Sequence, residues 1–457
     1  MITKVEINKL FLRESFNYVI PLNEKDGVTI IHGPNGCGKT TFLKLLSWVA
    51  EKDFEKIAKV PFESMKFYFN TGYMEIKSVP ADLIETNSSF FNSLQYFQYF
   101  HKEFIISINE GTKKKKRFRV SSSISRLHLR DLRQSENDLE YIGGGMFQNS
   151  STGERFDEVD IRGNRTYKWD NDDCVPNEVS SHLERLKFEL IETHRLYKII
   201  DSDDRRDSYH RRPSGGKTHT LRVKEISLAI KKEIDDQILK YNATSSELDR
   251  TFPTRLLKFK AEKNLTNKEI ARKHDEVESL RRDLRGLGIL EDSKNTKLPD
   301  YKGIDRTMRK VLWLHLDDMK RKLNTLEGLK VKLELLSDIL NKRFRYKKTI
   351  ISQYEGIKFV IENGKNESFL SPSKLSSGEQ HQLVLFYDLI FNTDDNSIIL
   401  IDEPELSLHV DWQRAFLDDL IKVATINSDY FIVATHSPQI IGHKWESSIA
   451  LDGGVEK

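Results

Sequence analysis

The chain has 457 residues, enough for two or three domains and a full α/β core. Its 73 lysines and arginines nearly balance 70 aspartates and glutamates, so charge alone does not indicate a nucleic-acid-binding protein. Cys37 and Cys174 are too few for a disulfide framework, and no apolar run reaches the ~20 residues of a membrane span. The N-terminus has no signal-peptide apolar block, so we expect a cytoplasmic protein with no membrane partner.

The first fifty residues predict strands followed by a helix. Apolar residues alternate from Ile2 to Leu10, a second strand is expected at 18–20, and VTIIH (28–32) has the composition of a buried strand. An apolar-faced helix, TTFLKLLSWVA, starts at Thr40. The connection between this strand and helix, GPNGCGKT, carries the strongest chemical signal in the chain.

This connection satisfies the pattern G-x-x-x-x-G-K-[ST] in the strand–helix context that a phosphate loop requires. The alternative is a glycine turn that precedes a helix by chance, and such a turn would not require this strand–helix context. The glycines let backbone amides surround a phosphate, Lys39 reaches the outer phosphates, and the Thr40 hydroxyl can ligate Mg²⁺. The residues predicted to bind nucleotide here are Gly33, Pro34, Asn35, Gly36, Cys37, Gly38, Lys39, Thr40 and Thr41.

The middle of the chain combines strand-like and helical patterns. A hairpin is expected at 103–124 with its turn near Gly111, and its basic run 113–117 is either a solvated tip or a DNA contact. The polar segment 201–220 predicts a linker. Further on, a leucine or methionine recurs every seven residues, at Leu312, Met319, Leu326, Leu333 and Leu340. The second set of heptad positions that a coiled-coil seam needs is only half apolar. A short helical arm or a lever packed on the head therefore fits better than a long free coiled coil.

The segment SKLSSGEQHQLVLFYDLI, from Ser373, places small polar residues before an apolar helix. The first amides of a helix have no intrahelical partner and favour an anion. We therefore expect Ser376, Ser377, Gly378 and Glu379 to face a phosphate, although no lysine accompanies them. This second loop lies more than three hundred residues after the first.

Acidic residues follow a buried strand near the C-terminus. The apolar run 398–401 delivers Asp402 and Glu403 to the carboxyl end of a strand, where parallel sheets bind ligands. Asp402 is expected to help hold Mg²⁺ and Glu403 to act as general base; the alternative is a solvated acidic turn. The next strand, YFIVAT, ends before His436. This histidine is either a packed residue or, as we favour, a sensor of the γ-phosphate.

The ordered set of phosphate loop, L-S-x-G-E, D-E-P and T-H resembles the ATP-binding-cassette (ABC) ATPases, in the branch with SMC, RecF and OLD-type proteins. The resemblance implies an α/β ATPase head with a mixed or parallel sheet and an inserted helical, short coiled-coil-like arm. It divides the chain into 1–200, 201–347 and 348–457. It also implies hydrolysis of ATP with Mg²⁺ by a homodimer or higher oligomer, in which the signature loop of one subunit closes on ATP held by another.

Three further points follow from this resemblance. Residues 405–409 match the family's dimer-contacting loop, Ser377 replaces a common glycine, and the lid glutamine could be Gln95, Gln98 or Gln148. OLD-type nuclease modules follow the T-H strand, and only 437–457 remain here, so we expect no nuclease module.

The layout is similar to the ATPase subunits of the Septu (PtuA) and PARIS (AriA) anti-phage systems. That similarity implies a separate nuclease or toxin partner of HNH or TOPRIM type. The alternative is a RecF/SMC-like DNA-repair ATPase that clamps DNA on its own.

Overall fold

The computed structural model describes most of both ends of the chain and most of the helical region between them. The described residues are 2–23, 25–79, 103–111, 115–121, 139–143, 146–149, 155–157, 175–191, 197–200, 218–259, 265–290, 305–363, 366–394 and 396–451. Within these ranges, no helix is both long and apolar enough to cross a membrane.

The described strands fall mainly in the two ends of the chain. They are β1 Ile2–Asn8, β2 Tyr18–Pro21, β3 Val28–His32, β4 Ser64–Phe69, β5 Gly72–Ser78, β6 Glu103–Asn109, β7 Lys116–Ser121, β8 Leu139–Gly143, β9 Met146–Asn149, β10 Arg155–Asp157, β11 Phe188–Ile191, β12 Tyr197–Ile200, β13 Thr218–Leu221, β14 Lys347–Ser352, β15 Gly356–Asn363, β16 Asn366–Leu370, β17 Ile398–Asp402, β18 Tyr430–Thr435 and β19 Ser448–Ala450.

The three longest of the described α-helices lie between residues 222 and 324. They are α1 Lys39–Ala50, α2 Phe54–Ala58, α3 Asn177–Leu183, α4 Arg222–Lys258, α5 Asn267–Gly286, α6 Arg306–Asn324, α7 Glu327–Arg343, α8 Ser377–Phe391, α9 Val410–Asn427 and α10 Pro438–Ile441.

A parallel sheet in the order β11-β17-β18-β3-β19 joins the two ends of the chain. Alternate residues of a strand point to opposite faces, and both faces of this sheet are covered. Ile31, Leu400 and Ile432 enter one buried cluster, which also contains the apolar side of α1. Ile399 and Val433 enter the other, with side chains of α7, α8 and α9. The continuous apolar runs of β3, β17 and β18 are thus explained by burial on both sides.

An antiparallel sheet in the order β2-β1-β4-β5-β6-β7 supplies the other side of the cluster around α1. The strand expected at 18–20 is β2, and the expected hairpin is formed by β6 and β7. Gly111 lies between these two strands with φ of 56°. Its left-handed conformation is readily accessible to glycine, which explains the turn.

The helical region forms an arm of packed helices. The ion pairs Lys273–Asp317 and Glu276–Lys320 join residues with the same separation along the chain, so α5 and α6 run parallel. Arg255–Asp318 and Lys322–Asp249 pair α4 with α6 in the antiparallel sense.

The seven-residue stripe crosses a break between two helices. Helix α6 ends at Asn324 and α7 begins at Glu327, with Leu326 as its N-cap. From Leu326 onward the stripe residues are buried in the core of the head. The α/β fold with an inserted helical arm is therefore confirmed, and the arm is anchored in the head as a packed lever. The exact domain limits stay a prediction.

Candidate nucleotide-binding and hydrolysis site

The phosphate loop is held from several sides. Gly36 and Gly38 have φ of 87° and 92°, the left-handed region that favours glycine. A Cβ on Gly33 would lie 2.3 Å from the carbonyl oxygen of Leu451, so only glycine fits this approach. The Tyr18 hydroxyl donates to the Cys37 carbonyl at 2.8 Å. No side-chain hydrogen bond caps α1 at Gly38, so its first amides are available to an anion, and the predicted phosphate contact stays a prediction.

Lys39 is the buried cation of this loop, with 4% exposure. Its ammonium donates to the carbonyls of Gly33 at 2.8 Å and Pro34 at 3.1 Å. These bonds satisfy a charge that would otherwise be costly to bury. They also hold the ammonium inside the loop, where a phosphate-binding lysine is needed.

Asp402 ends β17 beside the start of α1. Burial raises the pKa of Asp402, and this rise is opposed by a hydrogen bond with Thr40 and by the charge of Lys39. One carboxylate oxygen, Oδ1, is buried without a hydrogen-bond partner. An orphaned carboxylate oxygen beside a threonine hydroxyl fits a hard cation such as Mg²⁺.

The described residues contain no group of three or more His, Cys, Asp or Glu side chains that could hold a metal ion. A magnesium ion at Asp402 and Thr40 would therefore complete its coordination with phosphate oxygens and water, as this ion commonly does beside nucleotides. The donor set fits an ion that binds together with ATP.

Glu403 and His436 lie at the same edge of the sheet. Glu403 adopts φ of 42°, and its amide donates to the Ala434 carbonyl at 2.9 Å, which turns the chain back toward β18. The Glu403 carboxylate, 27% exposed, lies 3.8 Å from Nδ1 of His436. The structure thus brings together the predicted general base and the predicted phosphate sensor.

Glu405 is a site residue that sequence analysis placed only in a dimer-contacting loop. Its carboxylate is 6% exposed and accepts hydrogen bonds from the Thr435 hydroxyl and the His436 amide, both at 2.8 Å. The His436 ring nitrogen Nδ1 lies 2.9 Å from the same carboxylate. The only sequence signal was a third acid in a tight turn begun by Pro404.

The signature segment forms the N-terminus of α8. Ser376 is its N-cap, and Oε2 of Glu379 accepts from the Ser376 amide and hydroxyl, both at 2.9 Å. Lys347 donates to Oε1 of Glu379 at 2.6 Å. Burial raises the pKa of Glu379, but the bonds from Lys347 and Ser376 outweigh it and leave the pKa below its ordinary value. Glu379 is therefore the acid of a capping box, and its contact with nucleotide stays a prediction.

The signature contacts lead away from the phosphate loop of the same chain. Ser376 and Ser377 are exposed, and a Cβ on Gly378 would lie 3.6 Å from the Trp412 ring of α9. None of the hydrogen bonds of the capping box reaches the loop 33–40.

Several predicted features fall on residues outside the described ranges. Gln95, Gln98, Cys174 and the arginines of 201–217 are among them, and only the backbone of Gln148 is described. Within the described part of the basic run, Lys115 pairs with buried Glu75 and Lys116 with Glu178. These pairs engage Lys115 and Lys116 with acids of their own chain, and a DNA contact by the run stays a prediction.

Comparison with known proteins identifies the family. The AAA ATPase domain family (AAA_15) matches residues 1–441. No curated protein matches the chain.

Two solved SMC heads are similar over most of their length. An SMC head with an extended coiled coil from Pyrococcus furiosus, bound to the C-terminal domain of ScpA, is 13% identical. The match covers 96% of this chain and 90% of that one, with a TM-score of 0.33. The SMC head of Thermotoga maritima is 12% identical, with 98% and 92% coverage and a TM-score of 0.29.

The match to the AAA ATPase domain model, rather than the likeness to SMC heads, shows the family. That match spans the phosphate loop, the signature segment, the acidic turn and His436. The chain belongs to the AAA ATPase domain family.

Proposed function

We propose that this protein hydrolyses ATP, with Mg²⁺, at sites shared between two copies of the chain. Lys39, Thr40, Asp402, Glu403 and His436 would come from one copy, and Ser376 to Gly378 from the other. The observation that carries the proposal is that these two groups have different contacts. The first lies together at the ends of β3, β17 and β18, while Ser376 and Ser377 are exposed and Ser376 bonds Glu379 of its own helix.

The surface around the signature segment supports a second copy as the occupant. Leu406 and Val410, 68% and 49% exposed, lie in the loop and helix start that follow the acids. Trp412, two residues after Val410, lies beside Gly378. Exposed apolar side chains next to a helix N-terminus suit an interface that closes over a nucleotide.

Each residue has a defined task in this reaction. The loop amides and Lys39 bind and orient the phosphates, and bound Mg²⁺ would supply neutralisation of charge on them. Glu403 accepts the proton of the attacking water. His436 donates a hydrogen bond to the γ-phosphate, and the second copy adds helix amides and the Ser376 hydroxyl.

We further propose that the ATP state controls a separate nuclease or toxin subunit, as the resemblance to Septu and PARIS ATPases suggests. No described contact specifically favours the DNA-clamp alternative, because the described lysines of the basic run pair with acids of their own chain. Gene neighbourhood distinguishes the two. An adjacent HNH or TOPRIM nuclease gene favours the effector, and a replication or repair operon favours the clamp.

ATP should drive association in solution. We expect Glu403→Gln protein to dimerise or oligomerise with Mg²⁺ and ATP, as measured by light scattering, because it retains nucleotide at the interface. Adding Ser376→Arg should keep it monomeric, since a large cation would block the exposed helix start. Ser181→Arg, an equally exposed serine on α3, is the matched control. A Glu403→Gln protein whose mass does not change with ATP would contradict the shared-site proposal.

A further inference from the structure

We infer that Glu405 is a positioning residue for His436 in ATP hydrolysis, an inference that rests on the proposed function. The acid would fix both the orientation of the imidazole and the nitrogen that carries its proton. His436 would then meet the γ-phosphate in one defined state.

Two hydrogen bonds and one ring contact from the His436 segment converge on this one carboxylate. Oε1 accepts from the His436 amide at 2.8 Å and lies 2.9 Å from Nδ1 of the same ring, while Oε2 accepts from the Thr435 hydroxyl at 2.8 Å. A carboxylate can only accept, so a hydrogen bond formed across this 2.9 Å contact would place the hydrogen on Nδ1. Nε2 is then the nitrogen that remains for the nucleotide side, because the two ring nitrogens have distinct roles.

The backbone turn explains why an acid reaches this position. Glu403 in the left-handed region and Pro404 begin a tight 3₁₀ turn that ends at Ser407. This turn brings Glu405 under the end of β18, while Leu406 next to it faces outward with 68% exposure. The loop thus has two sides, one directed at His436 and one directed at solvent.

A second set of bonds holds the same segment against α9. The Ser437 amide donates to the Thr435 hydroxyl oxygen at 3.0 Å, and the Ser437 hydroxyl donates to Gln413 at 2.7 Å. Gln413 in turn donates to the Leu408 carbonyl at 3.1 Å. The backbone around His436 is therefore fixed by this network, and the ring orientation is left to Glu405.

The two neighbouring acids have different surroundings, which separates their tasks. The Glu405 side chain is 6% exposed, accepts two hydrogen bonds and lies 2.9 Å from the ring, whereas the Glu403 side chain is 27% exposed and lies 3.8 Å from it. Glu403 keeps acceptor capacity for a water molecule. Glu405 does not need to touch substrate in order to act.

The test is a double-mutant cycle on kcat with Glu405→Gln and His436→Ala. Glu405→Gln should lower kcat about tenfold to a hundredfold, the loss typical when a group that orients a functional histidine is removed. ATP affinity should stay unchanged. In the His436→Ala background the same substitution should have no further effect on kcat, because residues that act as a unit are not additive. Glu75→Gln, an equally buried acid in the antiparallel sheet, is the control.

Nitrogen-15 NMR of histidine-labelled protein gives a second readout, which reports the protonation of the ring rather than the rate of turnover. The signal absent in His436→Ala should report a ring protonated at Nδ1 in the wild type, and Glu405→Gln should shift it, because an amide can also donate. An Nε2-protonated wild-type ring, or additive losses of kcat, would overturn the role of Glu405. Wild-type turnover in both Glu403→Gln and His436→Ala would instead remove the proposed function itself.

Discussion

Replacing Glu403 with glutamine is expected to stop ATP turnover and leave ATP binding intact. Glutamine keeps the shape of the side chain but cannot take the proton of the attacking water. General-base catalysis contributes about a hundredfold to ten-thousandfold, so kcat should fall by that order. Phosphate release gives the turnover, and equilibrium binding of a labelled ATP analogue gives the affinity.

The matched control is Glu63→Gln, the same change at an exposed acid that precedes β4 and pairs with Lys9. It should leave turnover at the wild-type rate. Comparable turnover in Glu403→Gln and wild type would remove Glu403 from its role. A loss of ATP binding in the same variant would instead assign Glu403 to the binding of nucleotide.

Replacing Lys39 with alanine is expected to abolish ATP binding. The buried ammonium is held inside the loop by two carbonyls, so its position is already set. Charge-assisted hydrogen bonds contribute about 1.5–3 kcal/mol each. The loss of two such bonds between the ammonium and phosphate oxygens would therefore weaken ATP binding by about a hundredfold or more. Isothermal calorimetry with Mg²⁺-ATP measures this loss.

Lys44→Ala is the control for charge, because Lys44 is exposed on the same helix five residues further along. It should bind ATP nearly as well as the wild type. Thermal unfolding of both variants shows whether the loop still folds without the lysine. A folded Lys39→Ala protein with wild-type affinity would contradict the phosphate-loop assignment.

Sequence predicted the parts of the fold that are determined by local residue patterns. The run 398–401 is apolar on both faces because one face of β17 packs in the cluster around α1 and the other packs against α7, α8 and α9. The phosphate loop was predictable because its glycines stand where the backbone needs left-handed φ and close approach. In both cases the residue type is dictated by its immediate surroundings.

The features that sequence missed depend on how the elements are arranged in the tertiary structure. Nothing in the residues 405–409 distinguishes the inward Glu405 from the outward Leu406, since that difference comes from the position of β18. Likewise, the seven-residue stripe continues without interruption through Leu326, although the helix ends there. The pairing of Glu379 with Lys347 from β14 was also not foreseen, while its predicted contact with phosphate stays a prediction.

The central claim is that each active site takes residues from two chains, and co-expression of two inactive variants tests it most directly. Lys39→Ala and Ser376→Arg are each expected to be inactive alone. In a mixed dimer, both faults would fall in one shared site and the other site would be intact. We therefore expect partial recovery of ATPase activity and of bound nucleotide. If every site were built within one chain, all sites in the mixture would remain defective, and the absence of any recovery would contradict the account.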